Sequence, residues 1–122
     1  MSSKKMTGGE AVVETLLANE VEVVTGLIGS STLEILDGLY NNSDKIRYIG
    51  CRHESNGMIM MDAYARYTGK NGVFLSGQAG PGVSNAVTAM AQAKAAFSPV
   101  VNLAGAIASA VSYTHLTLPT KA

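Results

Sequence analysis

The feature that most constrains this chain is the alternation of short apolar runs with longer segments of helical periodicity. Each apolar run is followed by polar or glycine-rich residues, which predict a turn. Strands that alternate with helices in this way predict an α/β fold with a mostly parallel sheet flanked by helices. The predicted strands are residues 21–25, 46–50, 73–75 and 99–104, and the predicted helices are residues 7–18, 31–40, 54–68 and 82–96.

Local signals also predict where the helices begin and end. Two helices start with a capping box, in which a hydroxyl residue is followed three positions later by a glutamate. These pairs are Thr7 with Glu10 and Ser31 with Glu34. Gly69 follows the third helix, and glycine in that place predicts its C-terminal cap.

The composition fits a single globular domain and excludes several classes of protein. The 122 residues are enough for one domain, and the 47% of them that are hydrophobic support a buried core. Nine basic and nine acidic residues cancel, so we expect no nucleic-acid partner. No apolar run is long enough to span a membrane. One cysteine allows no internal disulfide, which agrees with a cytoplasmic location.

Glu54 is the first candidate functional residue. It follows the predicted strand 46–50 and the polar corner Arg52-His53, and it opens the predicted helix 54–68. A carboxylate there lies at the positive end of a helix dipole. It also lies at the carboxyl end of a strand, where open α/β sheets bind their ligands. Glu54 is therefore either a catalytic acid or simply a stabilising first-turn residue, and its position alone leaves both interpretations open.

Cys51 and His53 form a second candidate, a thiol with a neighbouring base. They are two positions apart, so at a strand end their side chains are expected to point the same way. Nothing in the pattern supplies a third group to orient the histidine, which favours Glu54 over this pair. The only other histidine is His115, so we predict no metal site.

Three motifs in a fixed order carry a family resemblance. They are GLIGS at residues 26–30, RHE at residues 52–54 and GQAGPGVSN at residues 77–85. In this order and spacing they resemble the N-terminal pyrimidine-binding domain of thiamine-diphosphate enzymes, with acetolactate synthase-like enzymes as the most similar branch. The resemblance covers about residues 6–108 and implies an incomplete α/β pyrimidine-binding domain.

The resemblance implies a chemical role for Glu54. Thiamine diphosphate reacts through a carbanion on its thiazolium ring, and its own aminopyrimidine must act as the base that generates it. A glutamate bonded to the pyrimidine ring nitrogen favours the imino tautomer that can accept the proton, and Glu54 matches that glutamate. The other cofactor-binding residues that the resemblance implies are Ile28, Gly29, Ser30, Gln78, Pro81 and Asn85.

The resemblance also implies parts that this sequence lacks. In the family, the diphosphate and its Mg²⁺ are held by a C-terminal domain with a Gly-Asp-Gly…Asn motif, usually from a neighbouring subunit, and that motif is absent here. We therefore expect a homodimer or tetramer with the active site at the subunit interface. FAD is a further cofactor that the parent enzyme could need. This chain alone is expected to be inactive.

The last residues break the pattern of the fold. Residues 110–122 have no periodicity that continues it, and they look like translated adaptor DNA from a sequencing library. We therefore expect residues 1–109 to be a truncated pyrimidine-binding domain and residues 110–122 to be a non-native tail.

The activity that the resemblance implies for the parent enzyme is decarboxylation of a 2-oxo acid followed by transfer of the bound fragment to an acceptor. Ile28 stands where acetolactate synthases usually have proline, and both glycine loops are similar to those of sulfoacetaldehyde acetyltransferases. An enzyme of that kind is therefore the first alternative. A separately encoded pyrimidine-binding subunit is another. In a different class, the chain is a non-catalytic α/β module that binds a small ligand.

Overall fold

A computed structural model describes residues 5–107, which form a four-stranded sheet flanked by helices. The strands are β1 Val23–Gly26, β2 Arg47–Gly50, β3 Gly72–Ser76 and β4 Val100–Ala104. The helices are α1 Gly8–Ala18, α2 Leu33–Asn41, α3 Glu54–Thr68, α4 Pro81–Ser84 and α5 Val87–Ala95, with a 3-10 turn at Ser30–Thr32. The strand order is β2-β1-β3-β4, and all three pairings are parallel. The predicted α/β fold with a mostly parallel sheet is therefore confirmed, whereas the predicted tail lies outside the described residues.

The ends of α1 and α3 agree with the sequence signals. The Thr7 hydroxyl accepts the Glu10 N–H at 3.1 Å, and the Glu10 carboxylate accepts the Thr7 N–H at 2.7 Å, so the first capping box is present. Helix α3 covers the predicted residues. Gly69 is its C-cap and has a left-handed backbone conformation with a φ of 71°. Among the described residues, no helix is long and apolar enough to cross a membrane.

The second predicted capping box is wrong. Ser31 lies inside the 3-10 turn, and α2 begins only at Leu33 with no side-chain cap. The Ser31 hydroxyl, which is predicted to cap the helix, binds a neighbouring loop instead, and the hydroxyl of Thr32, the residue at the observed N-cap, does so too. The Ser31 hydroxyl accepts the Ala79 N–H at 3.3 Å, and the Thr32 hydroxyl donates to the Gly77 carbonyl at 3.4 Å.

The predicted helix 82–96 is interrupted in the structure. Helix α4 ends at Ser84 and α5 begins at Val87, so Asn85 and Ala86 lie between two helices. At this point the Ala86 N–H donates to the Val83 carbonyl, only three residues back. The prediction of one continuous helix is therefore wrong, and the interruption begins at Asn85, the last residue of the third sequence motif.

The core has one hydrophobic cluster on each side of the sheet. On one side, α1 and α2 cover buried residues of the strands, and the cluster contains Val13, Leu16, Val21, Val24, Leu39, Ile46, Val73 and Leu75. On the other side, α3 and α5 contribute small and flexible side chains, and the cluster contains Met58, Met61, Phe74, Ala86, Ala89 and Ala93. This two-sided covering is what a parallel sheet requires.

Helix α3 lies unusually close to the sheet at Gly57. A Cβ at this position would stand 2.6 Å from a ring carbon of Phe74 and 2.7 Å from the Cys51 sulfur. The buried Thr25 hydroxyl donates to the Gly57 carbonyl at 2.8 Å and so joins β1 to the helix. This contact fixes the height of α3 on the sheet and with it the position of the first turn of the helix.

Asp62 joins the middle of α3 to α5 and to the turn before β4. Its carboxylate is fully buried and accepts hydrogen bonds from Ser98, from Arg66 at 2.5 Å and from Gln92 at 3.3 Å. The Ser98 hydrogen bond contributes most, followed by the Arg66 guanidinium, and together they lower the pKa of Asp62 despite its burial. Asp62 is therefore a charged structural brace, which the sequence pattern did not indicate.

We predict that Asp62→Asn lowers the free energy of unfolding by about 2–4 kcal/mol near neutral pH, because an amide cannot accept from all three donors. The lowered pKa means that the stabilisation is present above the unfolded-state pKa of about 4 and is lost as the pH falls through the folded-state pKa. Urea unfolding at pH 7 and in steps below about pH 4 should show the difference shrinking.

Asp37→Asn is the matched control, because Asp37 is exposed and, within residues 5–107, accepts a single side-chain hydrogen bond, from the Asn41 amide at 3.3 Å. That substitution should change stability by less than about 0.5 kcal/mol. A cost of Asp62→Asn that is the same at every pH would contradict the proposed origin of the stabilisation.

Candidate functional site

The candidate site lies at the carboxyl ends of the strands. Because β1, β2 and β3 are parallel, the loops that follow them leave the sheet at the same edge. The backbone joins these loops directly: the Cys51 N–H donates to the Gly26 carbonyl at 2.8 Å, and the Leu27 N–H donates to the Leu75 carbonyl at 3.2 Å. All three sequence motifs therefore begin at one edge of the sheet.

Glu54 is the first residue of α3 and is only 6% exposed. The residue before it, His53, is the N-cap, and its Nδ1 accepts the Ser55 N–H at 3.2 Å. The start of a helix places unpaired N–H groups and a partial positive charge beside the Glu54 carboxylate. This setting stabilises a buried acid that would otherwise be costly to remove from water.

The two carboxylate oxygens of Glu54 have different surroundings. The Asn85 side-chain amide donates to Oε2 at 3.1 Å. No hydrogen bond to Oε1 is found among the described residues, and a Cβ on Gly82, in α4, would stand 3.5 Å from Oε1. Among the described residues, the site therefore presents one carboxylate oxygen bound by a side chain and one without a hydrogen-bond partner that lies near a glycine.

The loops after β1 and β3 pack backbone against backbone. A Cβ on Gly29 would stand 2.0 Å from the Gly77 carbonyl oxygen, and a Cβ on Gly77 would stand 2.0 Å from the Leu27 carbonyl oxygen. Next to this contact, the Ser30 hydroxyl donates to the Gln78 side-chain carbonyl at 3.1 Å. Only glycine at both positions permits this approach, which makes the two loops a single wall of the site.

Most of the predicted site residues lie in two neighbouring groups. Gly29, Ser30 and Gln78 meet where the two loops pack, and Glu54 meets Asn85 at the start of α3. Gly82 connects the groups, because a Cβ there would stand 3.6 Å from the Cβ of Gln78 and 3.5 Å from Glu54 Oε1.

Ile28 and Pro81 take less direct positions. Ile28 is 73% exposed, so its side chain points to solvent within the described structure. Pro81 opens α4, and its carbonyl accepts the Asn85 N–H at 2.9 Å. The predicted cofactor contacts of these two residues, like those of the other site residues, stay predictions.

Ser55 is the site residue that the sequence motifs missed. Its hydroxyl donates to the Asn85 backbone carbonyl, across thirty positions of sequence. The only signal that points to it is its place next to Glu54 in the first turn of α3, where a polar side chain can reach a facing loop.

The alternative thiol–base pair does not form. The Cys51 thiol donates to the Gly26 carbonyl at 3.1 Å, while His53 Nδ1 is occupied by the Ser55 N–H. Burial is the main cause that raises the pKa of the Cys51 thiol. A thiol with a raised pKa is a poor nucleophile at neutral pH, so this arrangement favours a packing role for Cys51.

Tyr48 carries the one buried side-chain polar atom that has no hydrogen-bond partner among the described residues. Its hydroxyl stands 3.1 Å from the point that a Cβ on Gly26 would occupy, so it lies beneath the start of the first loop. Burial, with a smaller effect of Cys51, raises the pKa of Tyr48 to about 12. The phenol therefore stays neutral and packs under the site.

A groove borders the wall that the two loops form. It has a volume of about 770 Å³, and Ser30 and Gln78 lie on its border with the site. Its other side is formed by the beginning of α1, by α2 around Glu34, and by Ile107. The loops therefore separate the Glu54 carboxylate from an open region on the α1 and α2 side of the sheet.

Comparison with known proteins identifies related sequences. The family model described as the thiamine pyrophosphate enzyme, N-terminal TPP binding domain, matches residues 6–119. Sulfoacetaldehyde acetyltransferase from Alcaligenes xylosoxydans xylosoxydans is 45% identical over 97 residues, which are 80% of this chain and 16% of that protein. Catabolic acetolactate synthase from Raoultella terrigena is 42% identical over 82% of this chain and 17% of its own length. Acetolactate synthase from Mycobacterium leprae is 36% identical over 88% of this chain and 17% of its own length.

The loop contact yields a test of the site's construction. Gly77→Ala should cost about 3 kcal/mol of stability or more, because the new methyl group meets backbone that cannot move unless the loops part. Gly50→Ala is the matched control at the end of β2, since its Cβ would meet nothing closer than a Tyr48 ring carbon at 3.9 Å. The control should change stability by less than about 1 kcal/mol. Equal urea midpoints for the two variants would contradict the close backbone packing of the two loops.

Proposed function

Since the chain belongs to the family of N-terminal TPP-binding domains of thiamine pyrophosphate enzymes, we propose that Glu54 binds the pyrimidine ring of thiamine diphosphate and activates it. The single observation that supports this role is the buried Glu54 carboxylate, with Oε2 bound by Asn85 and Oε1 without a hydrogen-bond partner among the described residues, close to Gly82 of α4. Oε1 is the atom that we expect to bond the pyrimidine ring nitrogen.

The residues present fit such a ring. A flat heteroaromatic ring needs a hydrogen-bonding partner in its plane and a surface without protruding side chains beside it. Glu54 Oε1 provides the partner, and Gly82 adds no side chain next to that oxygen, where a Cβ would stand 3.5 Å away. The backbone wall around Gly29 and Gly77 provides further surface of the same kind.

Each residue of the site then has a definite task. Glu54 shares a proton with the ring nitrogen at Oε1, and Asn85 holds Oε2 so that the carboxyl group cannot rotate away. The burial of Glu54 excludes water that would compete for the same hydrogen bond. When bound, thiamine diphosphate supplies a nucleophilic carbon that adds to the carbonyl group of a substrate.

We propose that the diphosphate and Mg²⁺ are held elsewhere in a longer enzyme. The chain spans only 16–17% of the length of the relatives described above. Among residues 5–107 no group of three His, Cys, Asp or Glu side chains could hold a metal ion. A second domain, supplied by a neighbouring subunit of a homodimer or tetramer, would complete the site over the exposed surface of the two loops.

The substrate class that we propose is a 2-oxo acid, which the enzyme would decarboxylate before transferring the remaining fragment, as an acetolactate synthase does. The 45% identity to a sulfoacetaldehyde acetyltransferase favours a second candidate, and Ile28, at a position where acetolactate synthases usually have proline, agrees with it. Assays of the full-length enzyme with pyruvate alone, and with sulfoacetaldehyde plus phosphate, separate the two. Acetolactate formation supports the first candidate, and acetyl phosphate formation supports the second.

For the full-length enzyme we predict that Glu54→Gln lowers kcat by about 10²–10⁴-fold, which is the usual contribution of a positioned acid–base group. Glutamine keeps the size and the contact with Asn85 but cannot share the proton in the same way. Steady-state kinetics at saturating thiamine diphosphate and Mg²⁺ measure the effect. Activity of this variant near that of the wild type would exclude the proposed role.

Glu10→Gln is the matched control for that experiment. Glu10 is also a glutamate in the first turn of a helix, but it is exposed and belongs to the capping box of α1. Glutamine can replace glutamate in a capping box, so the fold should be unaffected. We expect this variant to retain the wild-type kcat, and a loss as large as that of Glu54→Gln would point to a general loss of structure.

A further inference from the structure

The interruption between α4 and α5 leaves a backbone acceptor for a side chain to bind. Among the described residues no backbone N–H donates to the Asn85 carbonyl, although Met90 donates to the Ala86 carbonyl at 2.9 Å and so continues the helix pattern immediately afterwards. Helix termini leave such carbonyls without partners inside the helix. The Ser55 hydroxyl donates to this carbonyl and satisfies it.

Ser55 is free to make this bond because its own helix start is capped by another residue. Serine near a helix N-terminus often turns its hydroxyl to the local backbone. Here the imidazole of His53 already accepts the Ser55 N–H at 3.2 Å. The hydroxyl can therefore reach across to the segment between α4 and α5.

Two hydrogen bonds then connect the first turn of α3 to the segment between α4 and α5. Ser55 binds the backbone of Asn85, and the side chain of Asn85 binds Glu54 Oε2 at 3.1 Å. Because Glu54 and Ser55 are consecutive, the bonds close a small ring between the start of α3 and the helix interruption. Fixing the backbone of Asn85 fixes the place from which its amide reaches the carboxylate.

We propose that Ser55 is a positioning residue for Glu54 and acts through Asn85. The inference rests on the proposed function of Glu54, and it adds the residue that holds the carboxylate in its working orientation. Ser55 keeps the Asn85 amide on Oε2, and Oε1 therefore remains directed to the position of the pyrimidine ring. Without the Ser55 hydroxyl, the Asn85 carbonyl turns to solvent, since Asn85 is exposed, and the carboxyl group gains rotational freedom.

The test compares Ser55→Val with Ser55→Thr in the full-length enzyme. Threonine and valine have nearly the same shape, so the two variants differ mainly in the hydroxyl. We expect Ser55→Val to lower kcat by about 10-fold and to weaken thiamine diphosphate binding to the apoenzyme by a similar factor, which is typical of losing a residue that orients a ligand-binding side chain. Ser55→Thr should retain both values. Isothermal calorimetry with thiamine diphosphate and Mg²⁺ provides the binding constant independently of activity.

A double-mutant cycle with Asn85→Ala distinguishes positioning from a general structural role. If Ser55 acts through Asn85, replacing it in the Asn85→Ala background should have no further effect on kcat. A merely structural effect of Ser55→Val would lower kcat by the same factor in both backgrounds. That result, or equal kcat values for Ser55→Val and Ser55→Thr, would overturn the proposal.

Two further variants keep the outcome interpretable. Ser55→Ala removes the hydroxyl without adding bulk, and it replaces Ser55→Val in the same comparison if the valine variant does not fold. Glu54→Gln separates this inference from the proposed function. If Glu54→Gln lowers kcat by about 10²–10⁴-fold while Ser55→Val and Ser55→Thr have equal kcat values, only the positioning role fails, whereas a Glu54→Gln enzyme with activity near that of the wild type contradicts the function itself.

Discussion

The close contact between α3 and the sheet at Gly57 is the constraint on which the candidate site depends. A side chain there would collide with Phe74 and Cys51, so glycine sets the distance between the helix and the sheet. The Thr25 hydroxyl then binds the Gly57 carbonyl and fixes the helix against β1. Glu54 lies one turn earlier, and this packing holds its buried carboxylate at the edge where the loops after β1 and β3 meet.

Two buried carboxylates on the same helix differ in the hydrogen bonds that their surroundings provide. Asp62 accepts hydrogen bonds from Ser98, Arg66 and Gln92, so both of its oxygens are used within the protein. Glu54 receives one hydrogen bond from Asn85 among the described residues. A buried carboxylate whose two oxygens both accept hydrogen bonds from the protein stabilises the fold. A buried carboxylate with one oxygen that accepts no hydrogen bond from the protein is suited to bind a ligand.

The sequence predicted the parts of the molecule that depend on local signals. The parallel α/β fold, the bounds of α3 and the capping box at Thr7 follow from periodicity and short-range hydrogen bonding. The sequence-based predictions failed where side chains that could form local hydrogen bonds form tertiary ones instead. The Ser31 hydroxyl binds the loop after β3 instead of capping α2, and Ser55 binds Asn85 where the predicted continuous helix is interrupted. No periodic pattern reveals a hydrogen bond between residues thirty positions apart.

A structure of the full-length enzyme with thiamine diphosphate and Mg²⁺ bound would test the proposed role of Glu54 most directly. We predict that Glu54 Oε1 lies about 2.5–3.0 Å from a nitrogen of the pyrimidine ring, with the Asn85 amide still bound to Oε2. A pyrimidine ring bound away from Glu54, or a Glu54 carboxylate whose two oxygens both bind protein groups, would contradict it.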